Sequence, residues 1–274
     1  MKFSKEAALG AVIGLSLVLS GCDKSEKEPE LDQPDGKTTP VKQSASILPY
    51  LNIQEQPAKI ALPFCEIKNC INVDIQTLYT ADPWMNHWIE KQQAKVIQDQ
   101  IGLKQDMSLQ QAMNAYVKKS DAWQAQLQLN QAYELSLYTR IPYQRNQYVL
   151  LQIGIDSKQE NISVYERYYF FVADRQQQKM LTPLDIIDPK QQLLMDKIIQ
   201  TAYEKWLKDN NHEVQQQAPK KLYWGQAEWF FDQEGIGLHY RSHDISKDAK
   251  QLDIYLTKEQ TQQVLKAEVY RNMF

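Results

Sequence analysis

The chain carries four histidines, His87, His212, His239 and His243. His239 and His243, with Asp244 beside the second, form its densest group of metal-ligand types. A His-x-x-x-His pair suits zinc when it lies on a helix, because both imidazoles then share a face. Here the first histidine falls on an expected strand and the second in the loop after it, and no third ligand is near. The expectation is therefore polar residues at a strand end, with no metal and no cofactor. Glu228, Asp232 and Glu234 crowd an aromatic stretch, and paired carboxylates are the machinery of glycoside hydrolysis. Their placement around a turn predicts solvated hairpin residues instead. Gly-x-Ser-x-Gly and His-Glu-x-x-His are absent, and the 9 glycines form no phosphate-cradling loop. No residue is assigned as catalytic, and the chain is expected not to be an enzyme. Alternation along Trp229-Phe230-Phe231 turns Trp229 inward. Trp224 and Phe230 remain as candidates for an exposed aromatic surface, with His239 and His243 beside them, facing a sugar or protein partner.

Three cysteines are present. Cys22 closes the apolar run from Ala7 to Leu19, which follows the charged start Lys2 and Lys5. That is the layout of a secretory signal. Leu19-Ser20-Gly21-Cys22 resembles the bacterial lipobox, in which cleavage precedes the cysteine and lipid is attached to its sulfur and new amino terminus. Residues 1–21 are thus expected to be removed and Cys22 lipidated. The protein would then be exported and held on the cell membrane or outer membrane, its domain facing the periplasm or exterior. Acyl chains contribute about 0.8 kcal/mol per buried methylene, and two or more give stable anchoring. The remaining pair, Cys65 and Cys70, is expected to form a disulfide in that compartment. Residues 22–46 are rich in charged residues, Pro, Ser and Thr and lack aromatics, which predicts a flexible tether. It would reach roughly 80 Å if extended and about 27 Å as a coil.

With 43% hydrophobic and 24% charged residues, the chain has a globular composition. A formal net charge of −3 without a Lys/Arg stripe argues against nucleic acid as a partner. No stretch after Cys22 approaches the roughly 20 apolar residues of a membrane span, which leaves the lipid as the expected membrane contact.

Residues 47–130 are expected to form a strand–helix–helix unit. Ala58, Ile60 and Leu62 alternate; Ile71 to Tyr79 alternates again. Asp82-Pro83 opens a helix that Gly102 stops. Ser108 with Gln111 opens a second, whose aromatic stripe (Tyr116, Trp123) predicts core packing rather than a sugar platform. Residues 131–274 are expected to hold antiparallel strands, a helix from Asp188-Pro189, a polar linker to Lys221, and further strands. In them a hairpin turns at Asp232–Gly235, where Gly235 supplies positive φ. Thr257 with Gln260 caps a short final helix. The run Ile162 to Ala173, apolar on both faces near Tyr168-Tyr169-Phe170-Phe171-Val172, predicts a strand covered on each side. The sum is an α+β fold, antiparallel sheets with helices packed on one face.

The second half resembles the extracytoplasmic domain shared by the anti-sigma factor RsiV and some peptidoglycan deacetylases. Three segments carry the likeness: the connector Leu181-Thr182-Pro183-Leu184-Asp185-Ile186-Ile187, the hairpin from Trp229 to Tyr240, and the loop His243 to Ala249 with Leu252-Asp253-Ile254. The likeness covers about Gln131 to Tyr270, and more weakly Ala58 to Leu129. Ser157-Lys158-Gln159-Glu160-Asn161 stands where the family usually carries a Gly-Gly-Ala-His-Gly-like segment, and Lys250 where it carries glycine. Without a transmembrane helix, the anti-sigma role is not expected to carry over. The resemblance implies a cell-envelope domain, which in the best-known relative binds lysozyme. Lysozyme or another envelope protein or glycan is therefore the expected partner. The alternatives are a peptidoglycan-acting enzyme and a structural lipoprotein of an envelope assembly.

Overall fold

The computed structural model describes residues 48–64, 70–127, 133–158, 168–246 and 251–274. The signal segment, Cys22, the tether, Cys65 and most of the segment 157–161 lie outside them.

A six-stranded sheet holds the strands in sequence order. These are β1 (Gln54–Pro57), β2 (Asn72–Tyr79), β3 (Glu134–Arg145), β4 (Tyr148–Lys158), β5 (Tyr168–Asp174) and β6 (Lys179–Leu181). Between β2 and β3 run α1 (Pro83–Asp99) and α2 (Leu109–Leu127). All neighbours pair antiparallel except β2 and β3, which run parallel. This corrects the all-antiparallel expectation. A helical crossover returns the chain to the end of the sheet it left, and a parallel neighbour is what that allows. The sheet therefore joins residues on both sides of position 131. The alternation at Ala58–Leu62 forms no strand of its own; β1 precedes it, and Ala58 N–H donates to Ile75 O at 2.8 Å.

Local signals start the helices. The Asp82 carboxylate accepts from the N–H groups of Trp84 and Met85 at 3.1 and 3.3 Å, with Pro83 at the first helical position. Beyond α1, Gly102 takes φ +70°. Ser108 and Gln111 exchange side chain-to-backbone hydrogen bonds of 2.9 and 3.2 Å across the start of α2.

The second half contains α3 (Pro183–Ile186), a single 3-10 turn at Pro189–Gln191, α4 (Gln192–Lys208) and α5 (His212–Gln217). A second sheet follows, of β7 (Glu228–Phe231), β8 (Ile236–Tyr240) and β9 (Leu252–Tyr255), with α6 (Ser242–Ile245) between the last two. Helices α7 (Lys258–Val264) and α8 (Ala267–Met273) close the chain. The expected polar linker before Lys221 holds α5, started by Asn211 accepting from Val214 N–H at 2.9 Å and anchored by buried Val214. Gly235 does not take positive φ; Gly102 is the glycine that does among the described residues. Gly235 is instead needed for space. A Cβ there would stand 2.7 Å from both the Leu256 carbonyl and Thr261 Oγ1.

Alternation in the central strands builds two cores. Val149, Leu151, Ile153 and Tyr169 face α1 and α2, where Ile89, Met113 and Tyr116 are buried. Tyr148, Leu150 and Val172 face the other way, onto Met195, Ile199 and Tyr203 of α4 and onto Trp229, Phe231 and Leu238. The expectation that residues 162–173 form a strand covered on both faces holds for its described part, β5. Helices thus lie on both faces of the large sheet, not on one.

The connector Leu181–Ile187 is a fastening. The Asp185 carboxylate accepts from Thr182 N–H and Thr182 Oγ1 at 2.8 and 2.7 Å and pairs with Lys179. The chain beyond is stitched to the C-terminal region, with Lys266 N–H donating to Ile186 O and Asp188 N–H to Val264 O, both at 2.9 Å. Partial burial disfavours the Asp185 charge, but Lys179 and Thr182 outweigh it and hold the carboxyl below the usual carboxylate range. A carboxyl depressed on folding stabilises fully above its unfolded value near ~3.9, and this is lost as pH falls through the folded value. Asp185→Ala should lower the unfolding free energy by about 1 kcal/mol at neutral pH. In urea melts at decreasing pH, the gap to the parent should close below about pH 4.

Candidate functional site

The strongest electrostatic junction forms where the small sheet meets β5 and the end of α1. Arg241 follows the last residue of β8 and projects between two acids. One guanidinium nitrogen donates to Asp99 Oδ2 at 3.0 Å, and another to Glu228 Oε1. The guanidinium carbon lies 4.1 Å from the centre of the Tyr169 ring, a cation–π contact. Tyr169 closes the circuit, its hydroxyl donating to Asp99 Oδ2 at 2.8 Å and accepting from Gln100 Nε2 at 2.7 Å.

Glu228 has a second task. β6 pairs only with Val172, Ala173 and Asp174, so among the described residues the first half of β5 has no strand on that edge. The Glu228 carboxylate takes the strand's place there, its Oε2 accepting from Phe170 N–H at 2.8 Å. Burial holds the Glu228 carboxyl above the ordinary carboxylate range, and Arg241 and the Phe170 amide pull it only part of the way back. Burial weighs against the Arg241 cation, but Glu228, Tyr169 and Asp99 outweigh it and raise its value. Burial and Asp99 push the Tyr169 phenol well above the ordinary range.

Beside the junction opens a cleft of about 560 Å³. Four of its lining residues, Lys91, Lys95, Lys104 and Arg241, are cationic, and two, Asp99 and Asp106, are acidic. Val96, Leu103, Phe171 and the Tyr169 ring supply its apolar wall. Lys91 pairs with Asp106 at 3.0 Å. Partial burial, and then the neighbouring Lys91 ammonium, hold Lys95 below the ordinary lysine range.

Of the residues singled out from sequence, Trp224, Phe230 and His239 form no exposed surface. Trp224 is 2% exposed, and its indole N–H donates to Asp196 Oδ1 at 2.6 Å. Phe230 is 7% exposed, held between Phe170 and Tyr255 with ring centres 4.9 and 5.0 Å away. These two are corrections to the expected exposed aromatics. The signal for Phe230 was its cross-strand partner, Gly237, whose missing side chain makes room for the ring. His239 is also buried, at 1% exposed, and lies directly opposite Asp253, with Nδ1 2.6 Å from its Oδ1. It is not a surface residue at a strand end. His243 lies in α6. Among the described residues, no group of three or more His, Cys, Asp or Glu is arranged to hold a metal. Cys70 lies one residue short of β2, with Ile71 between them, and its expected partner Cys65 lies outside the described residues.

The acids Glu228, Asp232 and Glu234 do not converge either. Glu228 is the first residue of β7 and Asp232 follows the last, roughly 13 Å apart along an extended strand. Asp232 holds the turn, its Oδ1 accepting from Glu234 and Gly235 N–H at 2.8 and 3.2 Å, and Glu234 is exposed. Sequence reasoning missed Arg241, Asp99 and Tyr169. Each is a single polar residue at the edge of an apolar element, and the partners are far apart in the chain.

Arg241 and Glu228 are half-buried, with 17% and 18% of their side chains exposed, and removing one leaves the other charge poorly compensated. Arg241→Met should lower the unfolding free energy by about 2–3 kcal/mol in denaturant melts, less than for a fully buried pair. Adding Glu228→Gln should return part of that loss, since the poorly compensated carboxylate is then gone.

No protein-family profile matches the chain, and no curated protein does. A DUF3298 family protein from Pseudomonas aeruginosa PAO1 superimposes with a TM-score of 0.58 at 15% identity, covering 81% of this chain and 97% of that one. A DUF3298 member from Bacteroides fragilis NCTC 9343 superimposes with a TM-score of 0.55 at 14% identity, over 81% and 97% of the two chains. At this identity the likeness is one of fold. The chain shares its α+β architecture with these two DUF3298 family proteins.

Proposed function

We propose that this protein is a lipid-anchored cell-envelope protein whose α+β domain binds a partner without transforming it. Lipidation at Cys22 would hold it on the membrane, residues 22–46 would set its reach, and a Cys65–Cys70 disulfide would pin the turn before β2. The partner class is an envelope protein or glycan, lysozyme among them, by analogy with the RsiV-like domain. The observation that carries the reading is the commitment of the acids around the cleft. Asp99 and Glu228 are both spent on Arg241, and Asp106 on Lys91. Hydrolysis by paired carboxylates needs a raised acid and a second carboxylate opposed to it across the substrate. Glu228 is raised, but its oxygens are held by Arg241 and the Phe170 amide and it does not line the cleft. What remains is an open concave surface with cationic and apolar lining, the make-up of a recognition site.

Two measurements test this. Cys22→Ser should shift the protein from the membrane to the soluble fraction of the cell. A soluble fragment of residues 46–274, the compact unit that contains both cores, should bind immobilised lysozyme or purified peptidoglycan sacculi with micromolar or better affinity. Release of muropeptides from sacculi without stable binding would sink the proposal.

A further inference from the structure

We infer that the cleft beside Arg241 accepts a small amphipathic anion, a carboxylate or phosphomonoester head on an apolar body. The inference rests on reading this cleft as the protein's recognition site, and it names the chemistry that site selects. Its two acids are engaged, Asp99 by Arg241 and Tyr169 and Asp106 by Lys91. Lys95 and Lys104 line the same space, and no carboxylate among the described residues lies within ion-pair reach of either. Lys95 donates one hydrogen bond, to Gln92 Oε1 at 3.2 Å, which leaves two N–H donors on its ammonium. The Lys91 cation acts against the Lys95 charge and the Asp106 carboxylate partly offsets it, and an arriving anion adds to that offset.

The apolar half of the site follows from the elements that build it. Val96 comes from α1, Leu103 from the turn after it, and Phe171 from β5. The exposed part of this wall is Leu103 and Phe171; Val96 and the Tyr169 ring, each 1% exposed, back it, with the Tyr169 hydroxyl already bonded and Arg241 over the ring. Nothing on that wall asks for a hydrogen bond, so it suits a hydrocarbon or aromatic body. The lysines stand on the more exposed residues of the same cleft, so an anionic head meets them while its body lies against the wall. A volume of about 560 Å³ is that of a small-molecule site, so what enters it is a small ligand or a single side group of a larger partner.

The test uses the fragment of residues 46–274 with octanoate, octyl phosphate and octanol, which share a chain length and differ in the head. By calorimetric titration both anions should bind with Kd on the order of 10–100 μM, and octanol at least tenfold more weakly. K95Q/K104Q should weaken octanoate at least tenfold without moving the melting temperature, and K95R/K104R should restore it. Raising the salt concentration should weaken the anions and not octanol. Equal binding of octanol and octanoate, no binding of either anion, or an unchanged K95Q/K104Q variant would each overturn the inference. Binding to phosphatidylglycerol vesicles that is sensitive to K95Q/K104Q, without binding of monomeric octanoate, would overturn it in favour of a membrane surface. Capture of lysozyme or sacculi is scored on the same fragment. Lost capture with intact octanoate binding removes the broader proposal alone, and the converse removes this inference alone.

Discussion

The Arg241 guanidinium is the contact on which the meeting of the two halves depends. It bonds Asp99 at the end of α1 and Glu228 at the start of β7, and stacks on Tyr169 of β5. Three elements from distant parts of the chain converge on one planar cation. Guanidinium suits this place because it stays charged and offers five donors in a fixed fork. A lysine there would bring one point charge and no ring stacking. The arrangement fixes where the small sheet sits, since Glu228 belongs to that sheet and its other oxygen is held by the backbone of the large one.

The same contact shapes the cleft. By consuming Asp99 and Glu228, Arg241 removes the acids that would otherwise neutralise the lysines nearby. Positive charge survives around the opening although the whole chain carries a formal net charge of −3. Local sign and overall sign differ because the arrangement of ion pairs, not the composition, decides what a ligand meets. Long surface lysines with no fixed partner are weak contributors to stability, so their clustering here costs the fold little.

Much of the architecture was legible because its signals are local. Asp82-Pro83, Ser108 with Gln111 and Thr257 with Gln260 start helices through side chains that reach backbone groups two or three residues away. The strand faces followed from alternation, and β5 showed its double coverage by having two apolar faces. The parallel β2–β3 pairing was not legible, since it depends on where two helices deliver the chain. The burial of Trp224, Phe230 and His239 was missed for a related reason. Each is decided by a neighbour from another element: Asp196 of α4, Phe170 of β5 and Asp253 of β9. The site itself needed contacts across as many as 142 positions, between Asp99 and Arg241, and no spacing rule reaches that far.

Where the described chain begins, Arg175, just after β5, is nearly buried and binds both Asp82 at the head of α1 and the carbonyl of Pro49 at 2.9 Å. Leu51 beside it is 1% exposed, and its carbonyl accepts from Ala81 N–H at 2.7 Å. Any tension applied through the residues before Pro49 is therefore borne first by this clamp, before it reaches β1. The edge strand β1 is spared from unzipping, and the load passes into the β5–β6 hairpin and α1, at the middle of the domain. Were the protein held by its amino-terminal end, as proposed, this clamp would double as a strain relief.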